Sequence, residues 1–265
     1  MSKSESPLDQ GLYLYQWPEA KGVDSIYPRC VIFHRMFNLL NIEYTPFNVT
    51  LPFTDQKPAE KLGQQLLDIP ILRDDGVLYK TSEEIISHIL NRIGDDPEKI
   101  KNATRLVRAK NYIYYQWANE TFLNTLLYSR WLREENFRNF IRNVNWGNAS
   151  KSYFSQSIIE LKKKVEDYMS KFPIAKLNQR EYLHLLHSQL KCLEEIFTNQ
   201  QYILTGSISI SRSDLAIFMV IQGLLSKDLE ESEMIAETYP NILRWARDID
   251  EKSQGEHTKK IDPFK

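Results

Sequence analysis

The sequence predicts an α/β unit over residues 11–94 followed by an all-helical domain over residues 100–255. Three observations carry that division. Strand-like and helix-like patterns alternate through the first part, a turn-forming run, GDDPEK (94–99), breaks the pattern like a linker, and no convincing strand pattern returns beyond it.

GLYLYQW (11–17) reads as a short aromatic strand. Pro28 to Leu40 reads as a helix with apolar residues at 30, 33, 37 and 40, the spacing of one helical face, and Pro28 suits the first helical position, where a missing N–H costs nothing. IEYTPFNV (42–49) is a second strand, and a polar, proline-containing stretch (54–64) follows it. IPILRD and VLYK then form a hairpin around Asp75-Gly76, and SEEIISHILNRI is a helix. The order is β-α-β-(α)-β-β-α.

The second part reads as helices throughout. Residues 101–133 form one long helical stretch and 155–171 another, whose Lys162–Lys164 run is a solvated face. Leu183, Leu186, Leu190, Leu193 and Phe197 make a core seam. Residues 251–262, EKSQGEHTKKID, have the composition of a loose tail.

The sharpest local signal is ILTGSISISRSDLAIF (203–218). Ser211 fits an N-cap accepting from the Asp214 N–H, Asp214 fits the reciprocal N3 position, and Ile210 with Leu215 would close a hydrophobic staple. The helix so started, LAIFMVIQGLL, is almost wholly apolar and must be buried. Asp214 is therefore a capping carboxylate rather than a catalytic acid.

Composition narrows function. At 265 residues with 42% hydrophobic and 26% charged residues, the chain can fold two modest domains, each with its own core. A formal net charge of −1 gives no footing for non-specific binding to nucleic acid or to a membrane surface. Fourteen tyrosines and five tryptophans predict large buried rings or an aromatic-walled cleft. Cys30 and Cys192 form no C-x-x-C, which argues against a disulfide framework, a zinc site and a dithiol redox centre. Cys30 lies on the apolar seam of its helix and reads as buried and inert; His184 and His187 read as a surface or inter-helix pair rather than metal ligands. The start MSKSESPLDQG has no apolar signal region, and no apolar run reaches the ~18 residues of a membrane span. A cytoplasmic location is the expectation.

In order along the chain, IPIL with DDG and VLYKTSEEII, then LTGSISISRSDLAIF, then TYPNILRWARDID (238–250) resemble the glutathione transferase superfamily over residues 11–250. The 133–200 region, with WLREENFRNF and FPIAKLNQREYLHLL, is similar to the metaxin and failed-axon-connections branch. The resemblance implies a thioredoxin-like first domain, glutathione as co-substrate, no metal, and conjugation of the glutathione thiol to a small apolar electrophile in detoxification. A non-catalytic, metaxin-like interaction module is the alternative. A two-fold homodimer is usual for the resemblance.

The same resemblance implies the site residues. A cis Ile69-Pro70 bond would free the Ile69 backbone to pair with an extended peptide, in the manner of strand addition. Ser82 at a helix start would meet the γ-glutamyl carboxylate, with Thr81 where the family has Glu or Gln; the structural alternative is that Ser82 only caps its helix. Thiol activation falls on Ser25, six residues before Val31, then on Tyr27, and after them on Tyr13 and Tyr15; the alternative for Ser25 is a turn or cap serine. An ordinary thiol has a pKa near ~8.5, so activation by two units requires roughly 2.7 kcal/mol of anion stabilisation. Tyr112, Tyr115 and Trp117 in NYIYYQWANETF are candidates for the acceptor wall, with core packing the alternative for each and above all for Trp117.

Overall fold

The structure is a computed structural model that describes residues 11–48, 70–93, 104–144, 151–204 and 209–258. Strands β1 (Leu12–Gln16), β2 (Thr45–Asn48), β3 (Ile71–Asp74) and β4 (Val77–Tyr79) form one sheet in the order β2-β1-β3-β4. β1 runs parallel to β2 and antiparallel to β3, and β3 pairs antiparallel with β4. The β3–β4 turn has Asp75 at φ 43° and Gly76 at φ 84°. Two successive left-handed residues make the tight primed turn that matches strand twist, which is why Asp-Gly stands there.

Helices α1 (Pro28–Leu39) and α2 (Ser82–Ile93) are the described helices of this unit, and the bracketed helix expected between the second and third strands lies outside the described residues. Pro28 occupies the start of α1 as expected. The helix is not one-sided, however. It is buried almost all round, including His34 and Arg35, both 0% exposed. Its far face packs on α8 (Arg212–Leu224) of the helical part, so the period of the apolar seam understates how much of α1 leaves water.

The helical part begins with α3 (Arg105–Trp117), a π turn (Ala118–Phe122), α4 (Leu123–Leu127) and a second π turn (Tyr128–Leu132). This is the single long helical stretch predicted, widened at two places. α5 (Glu134–Arg142), α6 (Lys151–Met169), α7 (Gln179–Asn199), α8, α9 (Ser232–Thr238) and α10 (Pro240–Lys252) follow. No strand lies beyond β4 among the described residues. Leu186, Leu190, Leu193 and Phe197 of α7 are buried, and Leu183 packs partly against the core.

α8 is the axis of the molecule. Residues Ser213–Leu224 are all buried, and the capping box at its start is complete: the Ser211 hydroxyl accepts from the Asp214 N–H while Asp214 accepts from the Ser211 N–H. Asp214 also accepts from the Ile203 N–H at 2.8 Å, fastening the preceding loop. At Gly223 a Cβ would press into the end of the Leu126 side chain and lie 2.9 Å from Arg130 Nη2, so a larger residue there would have to push both side chains aside.

The end of the chain departs from the expected loose tail. Glu251 and Lys252 complete α10, Ser253 is fully buried, and Asn38 Nδ2 of α1 donates to the Ser253 carbonyl at 3.0 Å. His257 then sets its ring against Tyr44 at 5.2 Å. Polar residues at 250–257 dock because α1 offers polar partners. Among the described residues no helix is long and apolar enough to cross a membrane.

Candidate functional site

Strand register defines one end of the sheet. Tyr15 near the end of β1 faces Ile71 at the start of β3, and Leu72 faces Tyr79 at the end of β4. The chain therefore leaves β1 towards α1, enters β3 through Pro70, and leaves β4 towards α2, all on the same side. The N-termini of α1 and α2 open there, each carrying unpaired backbone N–H groups and the positive end of a helix dipole. Pro70 is buried in this junction; Ile69, the backbone expected to pair with a peptide, lies outside the described residues.

At α2 the cap is Thr81 and not Ser82. The Thr81 hydroxyl accepts from the Glu84 N–H at 3.2 Å, and Glu84 accepts from the N–H groups of Lys80 and Thr81 at 2.8 and 3.1 Å. These bonds hold the Glu84 carboxyl below the usual carboxylate range. Ser82 is the first helical residue, half-buried, and its hydroxyl has no partner among the described residues. A T-x-x-E box was readable in TSEE, and it releases Ser82 from capping.

At α1 the loop that delivers the helix is held on several sides. The Ile26 N–H donates to the Pro18 carbonyl at 2.8 Å, Ala20 pairs with Val23 and with Val144, and the Lys21 N–H reaches the Asn143 carbonyl. Ser25 is 1% exposed; its hydroxyl donates to the Trp17 carbonyl at 2.8 Å and accepts from the Tyr27 N–H at 3.3 Å. The structure thus gives Ser25 the turn-serine arrangement, with the hydroxyl turned into the protein. Tyr27 is the N-cap residue of α1, partly buried, with no side-chain cap bond. The first turn has no acidic residue to offset the dipole. Cys30 is buried, and loss of solvation pushes its thiol up to about 12, so it remains protonated.

Cations from both parts of the chain surround this loop, and sequence reading missed them. Arg35 is fully buried: its Nε and Nη2 reach Asp24 at 2.8 and 3.2 Å, while Nη1 reaches Asp250 at 2.7 Å. Arg130, in the second π turn, is also fully buried; Nη1 donates to the Ile26 carbonyl at 3.2 Å and Nη2 to the Gly223 carbonyl at 3.3 Å. Arg29 donates to the Asn119 carbonyl of the first π turn at 3.3 Å. Both π turns therefore face α1. No local pattern announces this, since each partner lies 90 or more residues away in sequence.

The acceptor candidates separate. Tyr112 is 57% exposed, whereas Tyr115 is buried beneath the guanidinium of Arg212, 4.2 Å from its ring centre. Trp117 stacks on Phe122 at 4.9 Å, a packing role. His187 bonds Tyr239, and among the described residues no group of three or more His, Cys, Asp or Glu side chains could hold a metal.

No family model and no curated protein matches the chain. Solved structures do. The beta-etherase LigF from Sphingobium sp. strain SYK-6 is 17% identical, with a TM-score of 0.61 over 91% of this chain and 95% of that one. Glutathione transferase GSTFuA2 from Phanerochaete chrysosporium is 14% identical, with a TM-score of 0.63 over 93% and 100%. Glutathione S-transferase-I bound with lactoylglutathione is 14% identical, with a TM-score of 0.56 over 92% and 97%. With its four-stranded mixed sheet leading into an all-helical second part, this chain has the fold of the glutathione transferases.

Proposed function

We propose that the chain binds glutathione at the end of the sheet where α1 and α2 begin, and conjugates its thiol to a small apolar electrophile. The observation that carries this reading is the Thr81–Glu84 capping box, which leaves the Ser82 hydroxyl and the start of α2 for a ligand carboxylate. Pro70 at the entry to β3 keeps the adjoining backbone in position for an extended peptide, with Ile69 the residue that pairs with it. Thiol activation falls to Tyr27 and the positive end of α1 rather than to Ser25, whose proton is committed to Trp17. Tyr112, exposed on α3, supplies the acceptor side, whereas Tyr115 is covered by Arg212 and packs in the core. The thiol loses its proton to water, and the thiolate sulfur bonds the electrophilic carbon. The leaving group (chloride for a chlorodinitrobenzene) departs with the electron pair of the broken carbon bond. Catalysis consists mainly of thiolate stabilisation and proximity.

Ser25 also favours a second reading, a glutathione-binding module without conjugating chemistry, because its hydroxyl does not face a ligand. Calorimetry with reduced glutathione, on the parent chain and on Ser82→Ala, tests binding. Conjugation of a chlorodinitrobenzene by the parent chain and by Tyr27→Phe tests the chemistry. Heat without conjugation selects the module; no heat at millimolar glutathione rejects both.

A further inference from the structure

Arg212 begins α8, in the helical part, yet its side chain reaches the α/β unit. Its guanidinium carbon lies 4.2 Å over the centre of the buried Tyr115 ring, and Nη1 pairs with Glu83 at 3.3 Å. Glu83 follows Ser82 in the first turn of α2. Arg212 is largely covered, at 16% side-chain exposure, whereas Glu83 is 61% exposed. One partner is thus held against an aromatic ring and the other is a largely solvated carboxylate.

We infer that Arg212 is a carboxylate-binding residue beside the first turn of α2, and that Glu83 holds its place until a ligand carboxylate takes it over. The inference rests on the glutathione reading and specifies which carboxylate is recognised: that of the γ-glutamyl end, the end assigned to the start of α2. A planar guanidinium stacked on an aromatic ring loses little freedom when it binds a carboxylate, and it offers a fork of donors matched to two oxygens. Glu83 shows that a carboxylate fits. It is a weak occupant, since its own carboxylate is largely solvated and water screens its attraction to Arg212. A ligand that also bonds Ser82 and the first N–H groups of α2 gains contacts Glu83 does not make. Exchange would free Glu83 into water and join the starts of α2 and α8 through the ligand.

Calorimetry of the full chain with reduced glutathione, and with an analogue lacking the γ-glutamyl α-carboxylate, tests this. Glu83→Gln removes the competing charge and is expected to tighten glutathione binding by several-fold. Arg212→Gln is expected to weaken it by about tenfold, the scale of one charge-assisted hydrogen bond, and to leave binding of the analogue unchanged. Unchanged glutathione affinity in Arg212→Gln, or an equal loss for glutathione and the analogue, overturns the assignment while the glutathione reading stands. No heat from the parent chain or Glu83→Gln overturns both. Should Arg212→Gln not fold, Glu83→Gln decides: affinity equal to or weaker than the parent's refutes the exchange.

Discussion

Arg35 Nη1 lies 2.7 Å from Asp250 while its Nε lies 2.8 Å from Asp24, so one buried guanidinium joins the last helix to the loop that delivers α1. Its ring-like plane also rests over Phe218 at 5.0 Å. Removing the cation would strand two carboxylates away from water. Breaking a buried pair in this way costs roughly 3–5 kcal/mol. Arg35→Met should therefore lower the urea midpoint sharply, whereas Asp248→Asn on the exposed side of α10 should shift stability by less than about 0.5 kcal/mol. Equal midpoints for the two variants would show that the triad does not hold the chain end.

His34 gives the fold a pH limit. Gln16 Nε2 donates to Asn48, so Gln16 Oε1 accepts from His34 Nε2, and His34 Nδ1 accepts from the Tyr44 hydroxyl. Both ring nitrogens are used by the neutral imidazole. Burial first, then the charges of His257 and Arg35, lower its pKa to about 3 from 6.5. Since the folded pKa is the lower, the unfolded chain binds the extra proton between those values. Stability is full above pH 6.5 and falls towards pH 3, by at most about 1.4 kcal/mol per pH unit from this group. The His34 ring resonances should not titrate between pH 8 and 5; a midpoint near 6.5 in the native spectrum would contradict the network.

The two α2 hydroxyls should separate stability from binding. Thr81→Ala removes an N-cap and is expected to cost about 1 kcal/mol. Ser82→Ala removes a hydroxyl without a protein partner and should change stability by under about 0.5 kcal/mol while weakening glutathione binding. Thermal melts and calorimetry on the same two variants check the pair, and a reversal of the two effects would return the capping role to Ser82.

How far the sequence was readable follows from where each partner lies. The β3–β4 turn, the Ser211–Asp214 box and the α7 seam are short-range patterns, and each stands where residue types and spacing place it. The polar faces of α1 were not readable. His34 and Arg35 find partners at Tyr44, Asp24 and Asp250, the last 215 positions away, and without those partners a helix with two polar residues looks half-solvated. The same gap made the segment after α10 look loose. Ser25 was identifiable as a residue of the loop that delivers α1, but the direction of its hydroxyl depends on the Trp17 carbonyl and on no feature of DSIYP. TSEE contained its own correction: Thr81 stands three residues before Glu84, a box that assigns the cap to Thr81.

Cys30 and Cys192 should differ in reactivity. Cys192 is exposed on α7 and Cys30 is buried with its thiol held protonated. Under native conditions a disulfide reagent such as dithionitrobenzoate should titrate one thiol of the two in the chain, and the second should appear only with unfolding. Two fast thiols would mean that the loop carrying Ser25 opens readily.

Arg130 and Arg35 are both fully buried, yet they should respond differently to replacement. Arg130 bonds two backbone carbonyls, at Ile26 and Gly223, and its Nε has no hydrogen-bond partner. Burial lowers its pKa to about 10, and Asp228 counters this from a distance without a hydrogen bond to it. Its stem and guanidinium pack on Phe140 at 4.5 Å. Arg130→Met keeps most of that packing and strands no carboxylate, so the cost is two carbonyl bonds offset by relief of a buried charge. Its urea midpoint should therefore lie well above that of Arg35→Met. The Ile26 carbonyl precedes the cap residue Tyr27, so the same variant should lower any Tyr27-dependent conjugation more than it lowers stability. If Arg130→Met proves as destabilising as Arg35→Met, the partial satisfaction of its guanidinium is not what sets the energy of this site.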